Sequence, residues 1–315
     1  MKIKLLLLSI FLTCACKQAP KRPASEKVQI DTLQGRSLLG TPLVSQQIKF
    51  QGENKVKNFK GALDTYKKEP GSAENIIWLG RRLAYLGDYQ RAIKAYTEGI
   101  EKFPDDARFY RHRGHRHIST RQLDQAIADL EEAAQLIQGT EDVVEPDGIP
   151  NRLNQPVSSL HTNIYYHLGL AYYLKANWPK ALEHFQNCYD ASTNDDMRVA
   201  ASHWLYMILR RMERPDEAEQ LLESISPEME IIENEGYHQL LLFYKGEIEA
   251  SELSGNVAVG SSEAVQYGIA HWHQYNDEPE KAKQLYTDLL ASGNWAAFGY
   301  IAAEAELARW PKGKQ

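Results

Sequence analysis

The chain has 315 residues, a formal net charge of −6 and 25% charged against 43% hydrophobic residues. Those fractions are ordinary for a folded globular protein. The acidic balance argues against a general nucleic-acid binder, which carries a basic face, and the 17 Tyr and 6 Trp suit helix packing or a ligand surface.

The N-terminus reads as a processing segment. Lys2 and Lys4 precede the apolar run from Leu5 to Leu12, which is too short to span a bilayer as a mature helix. The run ends in Leu12-Thr13-Cys14-Ala15-Cys16-Lys17. It resembles a bacterial lipoprotein signal, in which a small residue precedes the Cys that becomes the lipidated N-terminus. Ala15 makes Cys16 the better candidate than Cys14. The resemblance implies a signal peptide over 1–15 and a membrane attachment through lipid on Cys16. It also implies a place on the periplasmic face of a bacterial membrane, with Lys17 permissive of the outer membrane. Only Cys188 then keeps a thiol, so no intramolecular disulfide is expected, and Cys188 reads as an inert core residue.

Residues 16–44 hold Pro20, Pro23 and scattered cations with little apolar periodicity, and are expected to form a flexible tether. A folded unit is expected over 45–315, opening with a lone helix at 54–68. From there the spacing is informative. Gly80 and Gly114 are 34 positions apart, and so are Ala92 and Ala126. Gly114 to Gly169 is 55, and so is Ala126 to Ala181, which leaves a period plus about 21 extra residues between repeats. Gly80, the Gly87-Asp88 turn, Ala92, Tyr96 and Pro104 follow one another in the order of a tetratricopeptide repeat, and the chain resembles that family. The small residues fit where paired helices cross closely.

The resemblance implies an all-α fold: an α-α superhelix, a right-handed solenoid of antiparallel helix pairs. Repeats are expected at about 73–106, 107–137, 162–195, 197–230 and 262–294, with a degenerate unit over 231–261. That unit has one clear helix near 234–245 and a short second one near 247–253. Pro146, Gly148, Pro150 and Pro156 make 138–160 a long loop, and 295–310 reads as a capping helix. The loop carries an acidic arm of Asp142, Glu145 and Asp147, and is expected to pack over the groove.

Chemistry-bearing motifs are sparse. Gly255 to Ser262 mimics a phosphate-binding loop but lacks its Lys. His112 and His115 share a helical face without a neighbouring carboxylate or Cys, and read as structural. No cofactor or metal is expected, and no enzyme.

In the tetratricopeptide family the first helix of each pair lines the concave groove. Carried over by repeat phase, the lining is Arg81 and Tyr85, then Arg108, Arg111 and His115. It continues with Asn163, Tyr166 and Tyr173, then His203, Arg210 and Arg211, and ends with Tyr267, His271 and Tyr275. Cations interleaved with Tyr suit an acidic segment, a carboxylate or a polar sugar-like ligand. The expected function is an envelope-anchored, non-enzymatic scaffold holding a protein segment in this groove. The alternative is a lipoprotein enclosing a small polar molecule under the 138–160 loop. Oligomeric state is not readable from the sequence.

Overall fold

The computed structural model describes residues 32–45, 52–253 and 262–311. Cys16, the signal segment and the Gly255–Ser261 stretch lie outside them. Among the described residues the fold is all-helical apart from one short hairpin. Thirteen helices run from α1 (Gly52–Lys68) to α13 (Phe298–Arg309). Five antiparallel-neighbour pairs form the body: α2 (Ala73–Tyr85) with α3 (Tyr89–Lys102), α4 (Ala107–Ser119) with α5 (Leu123–Leu136), α6 (Leu160–Leu174) with α7 (Trp178–Ala191), α8 (Asp195–Arg211) with α9 (Pro215–Leu222), and α11 (Ser262–Tyr275) with α12 (Pro279–Leu290).

One turn geometry joins every pair. Gly87, Arg121, Ala176, Glu213 and Asp277 all have positive φ, between 56° and 76°. After each, the next backbone N–H reaches back five residues to close the preceding helix: Asp88 to Leu83, Gln122 to His117, Asn177 to Tyr172, Arg214 to Leu209 and Glu278 to His273. This left-handed cap satisfies carbonyls that a helix end otherwise leaves open. Five residues beyond each turn stands an alanine that is fully buried: Ala92, Ala126, Ala181, Ala218 and Ala282. Only the first turn is marked by glycine in the sequence. The others hold side chains in a conformation costing about 1–2 kcal/mol, so tertiary packing sets the turn and local preference does not.

Close crossings account for the repeated glycines. A Cβ on Gly114 would lie 2.7 Å from Leu130 Cγ, and one on Gly169 would lie 2.8 Å from the Phe185 ring. The core runs continuously through the middle and C-terminal pairs, around Trp204, Phe185, Tyr173, Tyr267 and Tyr286.

Three segments depart from the sequence reading. Residues 32–45 do not form a tether. Strands β1 (Leu33–Arg36) and β2 (Pro42–Val44) pair antiparallel, and the hairpin is docked on the helices. Gln34 is fully buried, its carbonyl and amide oxygens accepting from Gln90. Ser45 Oγ donates to Gly87 O at 2.7 Å. Composition hid this because the hairpin is held by polar contacts and one buried apolar side chain, Leu43. In the degenerate unit, α10 (Glu235–Lys245) is present, but 247–253 is turn. Gly246 (φ 79°) ends α10 with the same backward-reaching bond, from Glu247 N to Leu242 O. Helix α10 therefore packs unpaired against α8 and α11.

The third departure is α13. It does more than close the stack, because it returns toward the second and third pairs. Glu304 is 1% exposed and binds Arg121, whose side chain is 2% exposed, at 2.9 Å. Glu304 Oε1 also accepts from Leu38 N in the hairpin. Glu306 binds Arg211 and Arg309, and Arg309 donates to Leu174 O at 2.7 Å. Small residues Ala302, Ala303 and Ala305 let this helix lie close. Replacing Glu304 with Ala leaves a guanidinium buried without its counter-charge. We expect a loss of about 3–5 kcal/mol of unfolding free energy, read from urea denaturation.

Candidate functional site: a roofed basic cavity

The inner faces of α2, α4 and α6 meet at a cavity of about 370 Å³. Six residues expected in the groove come together there: Arg81, Tyr85, Arg111, His115, Asn163 and Tyr166. Helix phase explains it. Arg81 and Tyr85 lie four apart on α2, as Arg111 and His115 do on α4, so each pair shares a face. The sequence reading missed Arg116, His112, His167, Tyr96, Tyr237, Glu233 and Phe298, which line the same cavity. Arg116 and His112 were visible as part of the 111–117 run. Phe298 carries no local signal, since it arrives from α13, where its ring packs 5.3 Å from His115 and 5.6 Å from His167.

The other expected residues are placed elsewhere. Arg108 points away and is held by Asp106 (2.6 Å) and Glu74 (3.1 Å). Tyr173, Arg211, Tyr267 and His271 belong to a buried network under α13. Tyr173 and Tyr267 hydroxyls meet at 2.5 Å, Arg211 Nε donates to His271 Nε2 at 2.9 Å, and Arg211 pairs with Glu306. Burial alone would lower the Arg211 pKa, but Glu306 more than offsets it and holds the guanidinium charged. His203 is fully buried and stacked on Tyr237 at 4.7 Å. Arg210 lies over Tyr275 at 4.5 Å. The C-terminal half of the expected groove is thus filled by the chain itself, and four of its lining residues are core.

The long loop forms the roof. Its neck is paired: Glu145 N donates to Ser158 O, and Leu160 N to Val143 O, around a Val144–Ser159 bridge. Arg81 donates to Pro146 O and Arg82 to Gly148 O, each at 2.7 Å. A Cβ on Gly148 would clash with the Tyr85 hydroxyl, so a side chain there would displace the Tyr85 ring. Asn194 donates to Val157 O at 2.7 Å, and Asn151 to Glu233 at 2.6 Å. The acidic arm splits. Glu145 turns inward to Arg111 at 2.8 Å and Asn163 at 2.5 Å, while Asp142 accepts from His161 N at the start of α6.

Charge in the cavity is uneven. Arg111 is matched by Glu145. Arg116 meets the Tyr89 ring at 5.2 Å, and among the described residues no carboxylate lies within ion-pair distance of Arg116 or Arg81. Burial raises the pKa of both Asp147 and Glu233, and Arg81 opposes the shift at Asp147. Burial, then the neighbouring arginines, pushes His112 and His167 well below the ordinary imidazole range, and His115 likewise, with Arg116 as its leading cationic neighbour. The three rings are therefore neutral at pH 7. His112 Nδ1 accepts from Arg111 at 2.8 Å, and His167 Nδ1 donates to Asn163 O. His112 and His115 do not converge: one stacks on Tyr96, the other lies tilted against His167. Cys188 is fully buried, its thiol pushed up to about 12 by burial.

The tetratricopeptide repeat family model matches residues 79–140. Residues 79–140 carry tetratricopeptide repeats. The matched stretch supplies Arg81, Arg111 and Arg116 and stops where the roof begins. Small glutamine-rich tetratricopeptide repeat-containing protein 2 of Saccharomyces cerevisiae (strain ATCC 204508 / S288c) is 38% identical over 61 residues, which is 19% of this chain and 18% of that protein. The tetratricopeptide match thus spans less than a fifth of that curated relative. Among solved structures, YrrB, described as a TPR protein with an unusual peptide-binding site, is 15% identical. It has a TM-score of 0.43 over 76% of this chain and 96% of its own. Cut9–Hcn1 of the APC/C is 15% identical, with a TM-score of 0.49 over 82% of this chain and 44% of that one.

The buried imidazoles give the tetratricopeptide stack a defined acid sensitivity. His203 is pushed down to about 3 by burial, against about 6.5 when unfolded. Between those values the unfolded chain takes up a proton that the folded one refuses. Stability from this group is full above pH 6.5 and falls as pH drops toward 3. We expect His203 alone to remove about 2 kcal/mol between pH 6.5 and 5. Chemical denaturation across that window tests it, with His203→Gln showing the shallower slope.

Proposed function

We propose that this protein is a non-enzymatic scaffold of a bacterial cell envelope that holds the acidic end of a partner protein segment in the roofed cavity. The observation that carries the reading is the pair of cavity guanidiniums, Arg81 and Arg116, with no carboxylate at ion-pair distance among the described residues. Arginine binds carboxylates through paired, charge-assisted hydrogen bonds. Tyr85, Tyr166 and Phe298 supply apolar flanks for the group that carries the anion. Because α13 fills the C-terminal half, the site suits a short chain end better than an extended peptide running the length of the stack. YrrB is described as having a peptide-binding site, and peptide capture is the use we carry to this chain. Attachment through lipid on Cys16, with the outer membrane favoured, completes the proposal and rests on the N-terminal sequence alone.

A second reading is supported by the roof. A loop folded over a cavity of about 370 Å³ also suits a small polar anion enclosed beneath it. Titration separates the two. A fluorescein-labelled tetraglutamate peptide and free succinate are each titrated into the full-length protein in detergent. The scaffold reading expects the peptide to bind in a salt-dependent way and Arg116→Ala to weaken it by about tenfold. Tight binding of succinate alone supports the second reading, and binding of neither defeats both.

The anchor has its own test. Cys16→Ser should move the protein from the membrane to the soluble fraction or stall its processing. Intact-mass analysis showing an unmodified Cys16 in the native protein sinks this part of the proposal. A soluble form for partner capture should begin at residue 32, so that the docked hairpin is kept.

A further inference from the structure

We propose that Arg111, Asn163 and His112 form a carboxylate-recognition subsite whose present occupant, Glu145, stands in for the carboxylate of an incoming acidic ligand. This rests on the scaffold reading above and states how the ligand gains entry.

The geometry is that of a bound carboxylate. Glu145 Oε2 accepts from Arg111 Nη2 at 2.8 Å and from Asn163 Nδ2 at 2.5 Å, while Oε1 lies 3.7 Å from His112 Nε2. The pair is nearly dry, with side-chain exposures of 11% and 12%. Asn163 Nδ2 also donates to Ser158 Oγ of the loop at 2.9 Å, so the closed roof orients the amide as well as filling the subsite. Arg111 and His112 are coupled through Nη1 and Nδ1. That bond makes His112 a neutral donor at Nε2, facing the carboxylate. Arg111 Nε is buried without a partner, so the guanidinium still has a donor to offer.

Three features mark Glu145 as an exchangeable occupant. First, it comes from the loop, whereas every residue that grips it belongs to α4 or α6. Second, the loop's hold on the body is mainly polar: the contacts to Arg81, Arg82, Asn194 and Glu233 described above. Such bonds can be exchanged for bonds to water. Third, the loop leaves most of its apolar side chains in solvent, Val157 being the buried exception at 7% exposure. Val143, Val144, Ile149 and Leu153 are 61%, 60%, 59% and 52% exposed, so lifting the roof exposes little new hydrophobic surface from them. The paired neck lets the segment move as one piece. A free carboxylate delivered to Arg111 and Asn163 competes directly with Glu145, with Arg116 in the same cavity ready for a second anionic group. The apparent affinity of any such ligand is lowered by the fraction of time Glu145 occupies the site.

The test uses full-length protein in detergent, the fluorescein-labelled tetraglutamate peptide, and hydrogen exchange over residues 140–158. Glu145→Gln keeps the shape of the side chain and removes its charge. It is expected to bind the peptide about tenfold more tightly than the native protein and to exchange faster over 140–158. Saturating peptide added to the native protein is expected to raise exchange over the same residues, a readout that needs no variant. Equal peptide affinity in the two proteins, or peptide binding that leaves loop exchange unchanged, overturns the inference and leaves the scaffold reading standing. Failure of both proteins to bind defeats the scaffold reading, and this inference with it.

Discussion

The pair between Arg121 and Glu304 decides what kind of solenoid this is. Arg121 sits in the left-handed turn between α4 and α5, and Glu304 in the last helix, 183 positions later. Both are removed from water, which is expensive for each ion unless geometry and hydrogen bonding are complete. Here they nearly are. Arg121 also donates to the carbonyls of Ser119 and Trp295, and Glu304 also accepts from Leu38 N. One pair therefore gathers the second repeat, the terminal helix and the N-terminal hairpin. Trp295 adds a bond from its indole to Val44 O and an edge contact to Tyr89.

From that closure follows the division of the inner surface. Helix α13 lies against the C-terminal pairs, takes up Arg211 and buries the tyrosines expected to meet a ligand. The N-terminal pairs keep their inner face open, and the 138–159 segment covers it. A stack whose repeats would each present the same concave lining instead presents an N-terminal cavity, with arginines on the helices and Glu145, paired to Arg111, on the roof.

Much of the body was legible because its determinants are local and periodic. Gly80, Gly114 and Gly169, with the alanines near them, mark crossings where only small residues fit, and a fixed spacing exposes them. The 55-residue interval located the loop. What the sequence could not show are contacts without period. Phe298 reaches His115 across 183 positions, and Gln34 reaches Gln90 across 56, with nothing local to announce either. The groove list failed where it assumed that every first helix faces solvent. Tyr267 and His271 have the right phase, but the chain's own terminus occupies their side. Arg116 lies one position beyond His115, the last place on α4 that the repeat phase assigned to the lining.

The hairpin's contacts to α13 also bear on how the chain reaches its fold. A linear repeat array depends on neighbours only, and can begin folding at either end. Here residue 38 bonds residue 304, and residue 44 bonds residue 295. Contacts that far apart must close a very long loop before they return any energy, which slows folding. The first repeats emerge from the ribosome long before the helix that completes their inner edge. Until that helix arrives, Arg121 has no counter-charge and the hairpin has its contacts to Gly87 and Gln90 but none to α13, so the finished N-terminal cavity is a late product of synthesis.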